Sequence, residues 1–215
     1  MEKLFAHELS RYSTIIVGNG ETPKGEIPLL FLQRARTIVC CDGALDKLQH
    51  IGIQPDIVIG DCDSLSDEAW TRYKDIIIED PDEECNDLQK ALKYCIEQKL
   101  GPVAVLGASG LRDDHQLANL SILNMYAERM DLIMVSNYGI FSFIDKDTTF
   151  ASVSGQEVSV FSFDGQAVFT FEGLQYPVHN RRFTQLWEGS LNKAVGERFT
   201  VKISGGKGLV FREFN

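Results

Sequence analysis

The sequence has no metal-binding cysteine pairs and no disulfide framework. It contains five cysteines, an odd number, and two of them, Cys40 and Cys41, are adjacent. None stand in the C-x-x-C spacing that a zinc site or a redox pair requires. We therefore expect reduced and mostly buried thiols, as in proteins of reducing compartments.

Positive charge and long apolar runs are also scarce. The 215 residues include 21 Lys and Arg against 31 Asp and Glu, a formal net charge of -10, which disfavours a nucleic acid or an anionic membrane surface as a partner. No apolar stretch approaches the roughly 18 residues of a membrane span. The first dozen residues carry charges and lack the apolar core of a signal peptide. We expect a cytoplasmic protein that binds neither membranes nor nucleic acids.

Short apolar runs alternate with helical patterns over the first 137 residues. Runs that are apolar throughout are typical of parallel strands covered on both faces. Ser66 and Asn86 stand where helix N-caps are expected, and another helix should follow Asp113 and bury Leu117, Leu123 and neighbouring apolar residues. We predict a doubly wound, mostly parallel α/β domain over residues 1–137. Its predicted strands are residues 14–17, 37–41, 57–59, 76–78, 103–106 and 132–135.

The pattern changes over residues 138–215. Apolar and polar residues alternate there, and turns rich in Asp, Gly and Asn separate the runs. We predict an antiparallel β-sandwich as a second domain, so that the fold class is α/β plus all-β. Its predicted strands are residues 140–144, 156–163, 167–172, 198–203 and 209–214.

Acidic residues follow four successive predicted strands. An open parallel sheet binds its ligands beyond the carboxyl ends of its strands, so these side chains should meet at one edge. Each could instead be a helix cap or a turn residue, and for Asn86 the cap is sufficient. The candidates are Asp42 after the second strand, Asp61 and Asp63 after the third, Asp87 after the fourth, and Asp113 and Asp114 after the fifth.

Asp61 and Asp63 are the strongest candidates for a metal site. In extended chain, residues two apart project from the same face, which would bring both carboxylates together. At about 4 Å they would repel by roughly 4 kcal/mol at an effective dielectric of 20. A divalent cation with oxygen ligands, Mg²⁺ by default, relieves this repulsion and commonly bridges carboxylates to phosphates. The pair therefore predicts a magnesium site.

Glycines at the strand ends favour an anionic ligand. Gly18 and Gly20 follow the first predicted strand, Gly43 the second, and Gly107 and Gly110 the fifth, where a backbone without side chains can approach a phosphate closely. The signal is weak for each alone, because no G-x-x-x-x-G-K-[ST] motif is present.

Arg112 and His115 lie in the loop after the fifth predicted strand. The guanidinium of Arg112 can offer a planar fork to phosphate oxygens, or it can pair with Asp113 or Asp114. His115 is either a phosphate-side contact or an orienting or core histidine. We include both residues among the candidates for nucleotide binding.

The motifs in combination resemble the thiamine pyrophosphokinase family. The segments CDGALDKL, PDIVIGDCDSL, DPDEECNDLQKAL and GASGLRDDHQLANL, followed by GLQYPV and GSLNKA, stand in the family's order over most of the chain. The resemblance implies a nucleotide-binding α/β domain with a β-sandwich, a homodimer, and thiamine bound near the subunit interface. It implies that ATP transfers its terminal diphosphate to the thiamine hydroxyl, leaving AMP.

The resemblance also assigns roles to individual residues. Three positions depart from the family's pattern, namely Asn86 for a Thr, Leu111 for a Gly and Leu191 for a Ser. The last of these departures affects thiamine recognition more than the chemistry. The implied metal and phosphate acids are Asp42, Asp61, Asp63 and Asp87; the implied phosphate-side partners are Lys90, Arg112 and Asp114; and the implied thiamine contacts are Tyr176, Ser190 and Asn192.

Trp187 is a further candidate on physical grounds. Its indole could stack on a flat cationic heterocycle such as thiazolium. It could equally be a core residue of the sandwich.

The predicted mechanism needs positioning and charge neutralisation more than a covalent nucleophile. Asp61 and Asp63, with Asp42 or Asp87, would hold Mg²⁺ across the ATP phosphates, and Lys90 and Arg112 would offset developing charge. The thiamine hydroxyl would attack the β-phosphorus in line, with Asp114 or Asp87 as proton acceptor. Two alternatives stay open. One is a Mg²⁺-dependent phosphatase with a D-x-D aspartyl nucleophile, and the other is a nucleotide- or vitamin-binding module without catalysis.

Overall fold

The structure is a computed structural model that describes residues 1–63 and 65–214. The chain divides into two compact units. One unit comprises Glu8–Asn137, and the other joins Met1–His7 to the chain from Tyr138 onward. A short helix, α1 (Ala6–Arg11), spans the boundary between His7 and Glu8.

A parallel sheet forms the centre of the first unit. Its strands stand in the order β6-β5-β1-β2-β3-β4, and every neighbouring pair is parallel. All residues of β1, β5 and β6 are buried, as expected for apolar runs with both faces covered. The strands are β1 (Thr14–Val17), β2 (Thr37–Cys41), β3 (Ile57–Gly60), β4 (Ile77–Glu79), β5 (Val103–Leu106) and β6 (Leu132–Val135).

Helices connect these strands, and two of them begin at the predicted caps. The Ser66 hydroxyl accepts from the amide of Ala69, and Asn86 forms a reciprocal capping box with Gln89. Both cap predictions are confirmed. The helices are α2 (Glu26–Arg34), α3 (Leu45–His50), α4 (Asp67–Tyr73), α5 (Asp87–Glu97) and α6 (Asp113–Tyr126), and a 3-10 turn spans Asp42–Ala44.

The predicted burial of Leu117 on α6 is wrong. Leu117 is 62% exposed, whereas Leu123 and Tyr126 are buried. At 3.6 residues per turn, Leu117 lies about 120° around the helix from Leu123, so the two side chains cannot share one face. The apolar residues of α6 are spread around its axis. The prediction counted these residues as buried without asking whether they share one face of the helix.

The second unit contains two antiparallel sheets, in the orders β12-β9-β14-β7 and β11-β10-β13-β8. Their inner faces supply one apolar core that includes Val158, Phe169, Phe183 and Phe199. The predicted sandwich is confirmed, although β8, β11 and β12 were not predicted. The strands are β7 (Gly139–Ile144), β8 (Thr148–Ala151), β9 (Glu157–Phe161), β10 (Val168–Glu172), β11 (Arg181–Arg182), β12 (Gly189–Lys193), β13 (Arg198–Ser204) and β14 (Gly208–Glu213).

The thiols agree with the sequence expectation. All five cysteines are free, and four of them are buried. In the described part of the chain, no helix is both long and apolar enough to cross a bilayer.

Candidate active site

Three aspartates meet at the carboxyl edge of the parallel sheet. Asp42 opens the 3-10 turn after β2, and Asp61 and Asp63 follow β3. One carboxylate oxygen from each lies within 4.8 Å of the other two. Asp42 is buried, whereas Asp61 and Asp63 are exposed. The group therefore has a buried base and an open side.

A turn at Cys62 brings Asp61 and Asp63 together. Cys62 has a φ of 64°, in the left-handed region, and its side chain is buried. The backbone amide of Asp63 donates to Asp61 Oδ1 at 3.2 Å. The expected convergence of the two carboxylates is found, but the reasoning from extended chain was wrong. The tight turn, not strand periodicity, places both side chains on one side.

Asp42 has an unusual electrostatic environment. Its Oδ1 accepts from the amide of Gly43, while its buried Oδ2 has no hydrogen-bond partner among the described residues. Burial, followed by the negative charge of Asp87, raises the pKa of Asp42 to about 6. A buried carboxylate oxygen without a donor is costly unless a cation occupies the space that it faces.

The backbone of β3 passes close to Asp42. A Cβ added to Gly60 would lie 2.7 Å from Asp42 Cγ, which is too close for a side chain. Glycine at position 60 therefore leaves the Asp42 carboxyl group room to point into the cluster.

Asp87 and Lys90 occupy the first turn of α5. The capping box at Asn86 fixes this turn, and the Lys90 ammonium lies 3.4 Å from Asp87 Oδ1. Lys90 is only 2% exposed. The pKa of Asp61 is lowered chiefly by the hydrogen bond from the Asp63 backbone, and the Lys90 charge contributes to the same shift. A buried cation thus lies beside the acidic cluster.

The donor set suits a hard divalent cation. Oxygen ligands from several carboxylates are what Mg²⁺ and Ca²⁺ prefer, and the unpartnered Oδ2 of Asp42 provides a free ligand atom at the cluster. Asp61 and Asp63 leave the open side of the cluster available to a phosphate or to water. The residues present therefore fit a magnesium ion.

A cavity of about 470 Å³ opens beside these acids, within the first unit. Five of the predicted site residues line it, namely Gly18, Gly20, Asp87, Arg112 and His115. Sequence reasoning missed other lining residues, including Asn19, Lys47, Ser109, Gln116 and Asn119.

Glycines let two loops approach each other behind this cavity. The amides of Gly18 and Gly20 donate to Leu106 O and Gly107 O at 2.8 and 2.6 Å. A Cβ on Gly107 would lie 2.5 Å from Gly18 O. Gly43 serves a similar purpose, since a Cβ there would lie 2.2 Å from Asn19 Nδ2. These glycines permit backbone packing, and the amides of Gly18 and Gly20 are already engaged by protein carbonyls.

Lys47 is a missed residue that fixes the first of these loops. Its ammonium donates to Asn19 O, Asn19 Oδ1 and Gly20 O at 2.7, 2.6 and 2.8 Å. Partial burial lowers the pKa of Lys47. Only the position of Lys47 on α3, facing the β1 loop, could have indicated this role.

Arg112 is paired with Asp114 in the structure. Its Nε and one terminal nitrogen donate to the Asp114 carboxylate at 3.1 and 2.6 Å. The hydrogen bonds from Arg112 are the main reason that the pKa of Asp114 falls to about 2. Both side chains are largely exposed, so a phosphate could compete for the guanidinium.

The predicted thiamine contacts lie in the second unit. They form two pairs, each joined by hydrogen bonds: Ser190 with Trp187, and Asn192 with Tyr176. The Ser190 hydroxyl donates to Trp187 O at 2.7 Å. The buried Asn192 side chain donates to Tyr176 O at 2.8 Å and accepts from Tyr176 N at 3.0 Å. Trp187 is 71% exposed, so its alternative role as a core residue is wrong. Leu191, between the pairs, has a φ of 58° and is 75% exposed.

Comparison with known proteins gives matches over both units. Residues 29–134 match the family model described as thiamin pyrophosphokinase, catalytic domain. Residues 139–211 match the model described as thiamin pyrophosphokinase, substrate-binding domain. The acidic cluster and the cavity lie in or beside the first match, and Trp187 with its neighbours lies in the second.

Individual relatives agree with these models. Thiamine pyrophosphokinase 1 of rice is 26% identical over 161 residues, which cover 63% of this chain and 60% of the rice protein. The chain spans between 45% and 60% of the length of the curated relatives that it matches.

Solved structures share the fold. Thiamine pyrophosphokinase from Bacillus subtilis superposes with a TM-score of 0.81 at 18% identity, covering 94% of this chain and 99% of that one. The enzyme from Candida albicans gives 0.79 at 17% identity and covers 99% and 92%.

Proposed function

Because the chain belongs to the thiamin pyrophosphokinase family, we propose that it transfers diphosphate from ATP to the hydroxyl of thiamine, giving thiamine diphosphate and AMP. The observation that carries this proposal is the cluster of Asp42, Asp61 and Asp63 beside the buried Lys90 and an open cavity. Diphosphate transfer requires the phosphates of ATP to be positioned and their charge to be neutralised. A metal held by the three aspartates, together with Lys90, could do both.

Asp42, Asp61 and Asp63 would hold Mg²⁺, with Asp87 adjacent. When bound, the ion would neutralise the phosphate oxygens and orient them. Lys90 cannot turn into solvent, because it is buried, so its charge stays directed at the acids and at phosphates bound there. Arg112 would exchange Asp114 for a phosphate oxygen and add a second cation.

The thiamine hydroxyl must lose a proton as it attacks the β-phosphorus. Of the two carboxylates proposed as acceptor, Asp87 is favoured. Asp87 lines the cavity that would hold the phosphates, whereas Asp114 is not among the described residues that line it. Asp87 lies beside both Asp42 and Lys90, where the phosphates are expected.

Thiamine recognition is assigned to Tyr176, Trp187, Ser190 and Asn192. The exposed indole of Trp187 offers a face to the cationic thiazolium ring. Asn192 is engaged with the Tyr176 backbone, so its role would be to fix the position of Tyr176. We further propose that the protein is a homodimer of the cytoplasm, where its five free thiols would stay reduced.

Product analysis tests the proposal. The protein is incubated with ATP, MgCl₂ and thiamine, and nucleotides and thiamine species are separated by chromatography. We expect AMP and thiamine diphosphate in equal amounts, and no turnover when EDTA removes the metal. Free phosphate without thiamine diphosphate would indicate the D-x-D phosphatase, and unchanged ATP would indicate a binding module. Light scattering on the same sample measures the proposed dimer.

A further inference from the structure

Two side-chain amides that line the cavity, those of Gln116 and Asn119, together present one hydrogen-bond donor and one acceptor. Gln116 and Asn119 both line the cavity and are three residues apart on α6. Residues at this spacing are neighbours on a helix surface, with Cβ atoms about 5–6 Å apart. They also lie on the side of α6 that carries the buried Leu123 and Tyr126.

Backbone partners fix which way each amide points. The amide N–H of Gly110 donates to Gln116 Oε1 at 3.2 Å, so the NH₂ group of Gln116 is the end left over. The NH₂ group of Asn119 donates to Ala108 O at 2.9 Å, so its Oδ1 is the end left over. An N–H can only donate and a carbonyl can only accept, and therefore neither amide can be flipped without losing its bond. Gln116 thus offers a donor to the cavity and Asn119 offers an acceptor.

This pair is complementary to adenine. The exocyclic amino group of adenine is a donor and the adjacent ring nitrogen N1 is an acceptor. Hypoxanthine reverses both, with a carbonyl oxygen and an N1–H. Guanine has the same two groups as hypoxanthine at these positions. Paired amide contacts of this kind discriminate between bases by roughly 5- to 150-fold.

The position of the pair suits the base of a nucleoside triphosphate. The neighbouring strands run in the order β5-β1-β2-β3, with the acids after β2 and β3 and the amide pair beside the loop after β5. Three strand spacings of about 4.8 Å separate β3 from β5. With its phosphates at the acids, the nucleotide would place its base near α6. The edge of adenine that carries N1 lies opposite the bond to ribose, so this edge would face the amides of Gln116 and Asn119.

We propose that Gln116 and Asn119 select adenine in the donor nucleotide, with Asn119 Oδ1 accepting from the amino group and Gln116 Nε2 donating to N1. The inference rests on the proposed function only in taking the cavity as the nucleotide site. The amides are specificity-determining residues and take no part in the transfer itself.

The test compares ATP with ITP in the wild-type protein and in Gln116→Glu. A carboxylate at position 116 can still accept from Gly110 N but replaces the donor to N1 with an acceptor. Any general weakening from the new charge cancels in the ratio of the two nucleotides. Gln33→Glu, on the exposed side of α2, is the matched control.

We expect the wild type and Gln33→Glu to prefer ATP over ITP by about 5-fold or more in kcat/KM. Gln116→Glu should lose most or all of this preference. Equal use of ATP and ITP by the wild type, or an unchanged ratio in a folded Gln116→Glu, would overturn the proposal. The wild-type comparison stands even if the variant does not fold. Calorimetric titration with ATP and ITP in the absence of thiamine gives the same ratio as a binding measurement, so it tests base selection even if no thiamine diphosphate forms.

Discussion

At the residue scale, the acidic cluster depends on the backbone at Cys62, whose left-handed conformation brings the carboxylates of Asp61 and Asp63 together. A cysteine at positive φ has no local sequence signal, since Gly, Asn and Asp are the residues expected there. The buried Oδ2 of Asp42 was likewise invisible, because it depends on the packing of β3 against the 3-10 turn.

Asp63→Asn tests the role of the exposed acids. The substitution removes a metal ligand and also a repulsive charge, so we expect turnover to fall by at least 100-fold while the melting temperature in metal-free buffer stays the same or rises. Steady-state kinetics and calorimetry measure the two quantities. Asp75→Asn, at an exposed position outside the cluster, is the control and should retain both. Normal activity in Asp63→Asn would remove the metal role assigned to this residue.

Asp42 makes stability depend on pH in a defined direction. Its pKa rises from an ordinary 3.8 to about 6 in the folded, metal-free protein. Between about pH 4 and pH 6, Asp42 therefore keeps its proton in the folded state and has released it in the unfolded chain. Its contribution is therefore fully present below about pH 4 and is lost as the pH rises through 6. At about 1.4 kcal/mol per pKa unit, a shift of this size corresponds to a loss of about 3 kcal/mol.

Urea unfolding at several pH values checks this expectation. Relative to Asp42→Asn, the wild type should lose unfolding free energy between pH 4 and pH 7, and Asp75→Asn should show the same loss as the wild type. A difference between wild type and Asp42→Asn that does not change with pH would contradict the account of Asp42.

Trp187→Ala tests the thiamine side. The indole is 71% exposed, so its removal should change the free energy of unfolding by less than about 0.5 kcal/mol. Loss of a cation–π contact should raise the KM for thiamine by about 3- to 30-fold and leave the KM for ATP unchanged. Tyr138→Ala, another exposed aromatic residue, is the control. An unchanged KM for thiamine would show that the indole does not contact this substrate.

At the element scale, the sequence predicted strands and helices best where one local signal dominated. The six parallel strands and the capped helices α4 and α5 stand close to their expected bounds. Short edge elements such as β8, β11 and β12 were missed, because pairing with distant strands forms them and their own patterns are weak. The six-residue helix α3 was also missed, and with it Lys47.

The N-cap of α5 offers a test of an element that carries chemistry. Asn86→Ala removes the capping box in front of Asp87 and Lys90, so we expect a loss of about 1 kcal/mol in stability and a fall in activity. Asn86→Thr keeps a capping oxygen and should stay within about 0.5 kcal/mol of the wild type, with most of its activity. Chemical unfolding and steady-state kinetics compare the two. Equal losses in both variants would indicate that the amide itself, and not the cap, matters.

At the scale of the whole molecule, composition and pattern indicated two architectures. They did not indicate which segments distant in sequence pack together, because long-range contacts determine that. Met1–His7 belongs with the C-terminal unit, where the Phe5 ring lies 5.1 Å from that of Phe214, and the Arg212 guanidinium lies over Phe5. These partners are more than 200 residues apart in the sequence, so no local pattern could connect them. The cavity is a similar case, since loops from β1, β5 and α3 build it together.

The most direct test of the account is binding of a divalent cation to the aspartates that meet at the edge of the sheet. Mn²⁺ can stand in for Mg²⁺, and its binding is measured by electron paramagnetic resonance, without nucleotide and with ATP. The wild type should bind Mn²⁺ in the presence of ATP, and the double variant Asp61→Asn with Asp63→Asn should bind it at least tenfold more weakly. Equal affinity in the two proteins would contradict the assignment of these carboxylates to a metal.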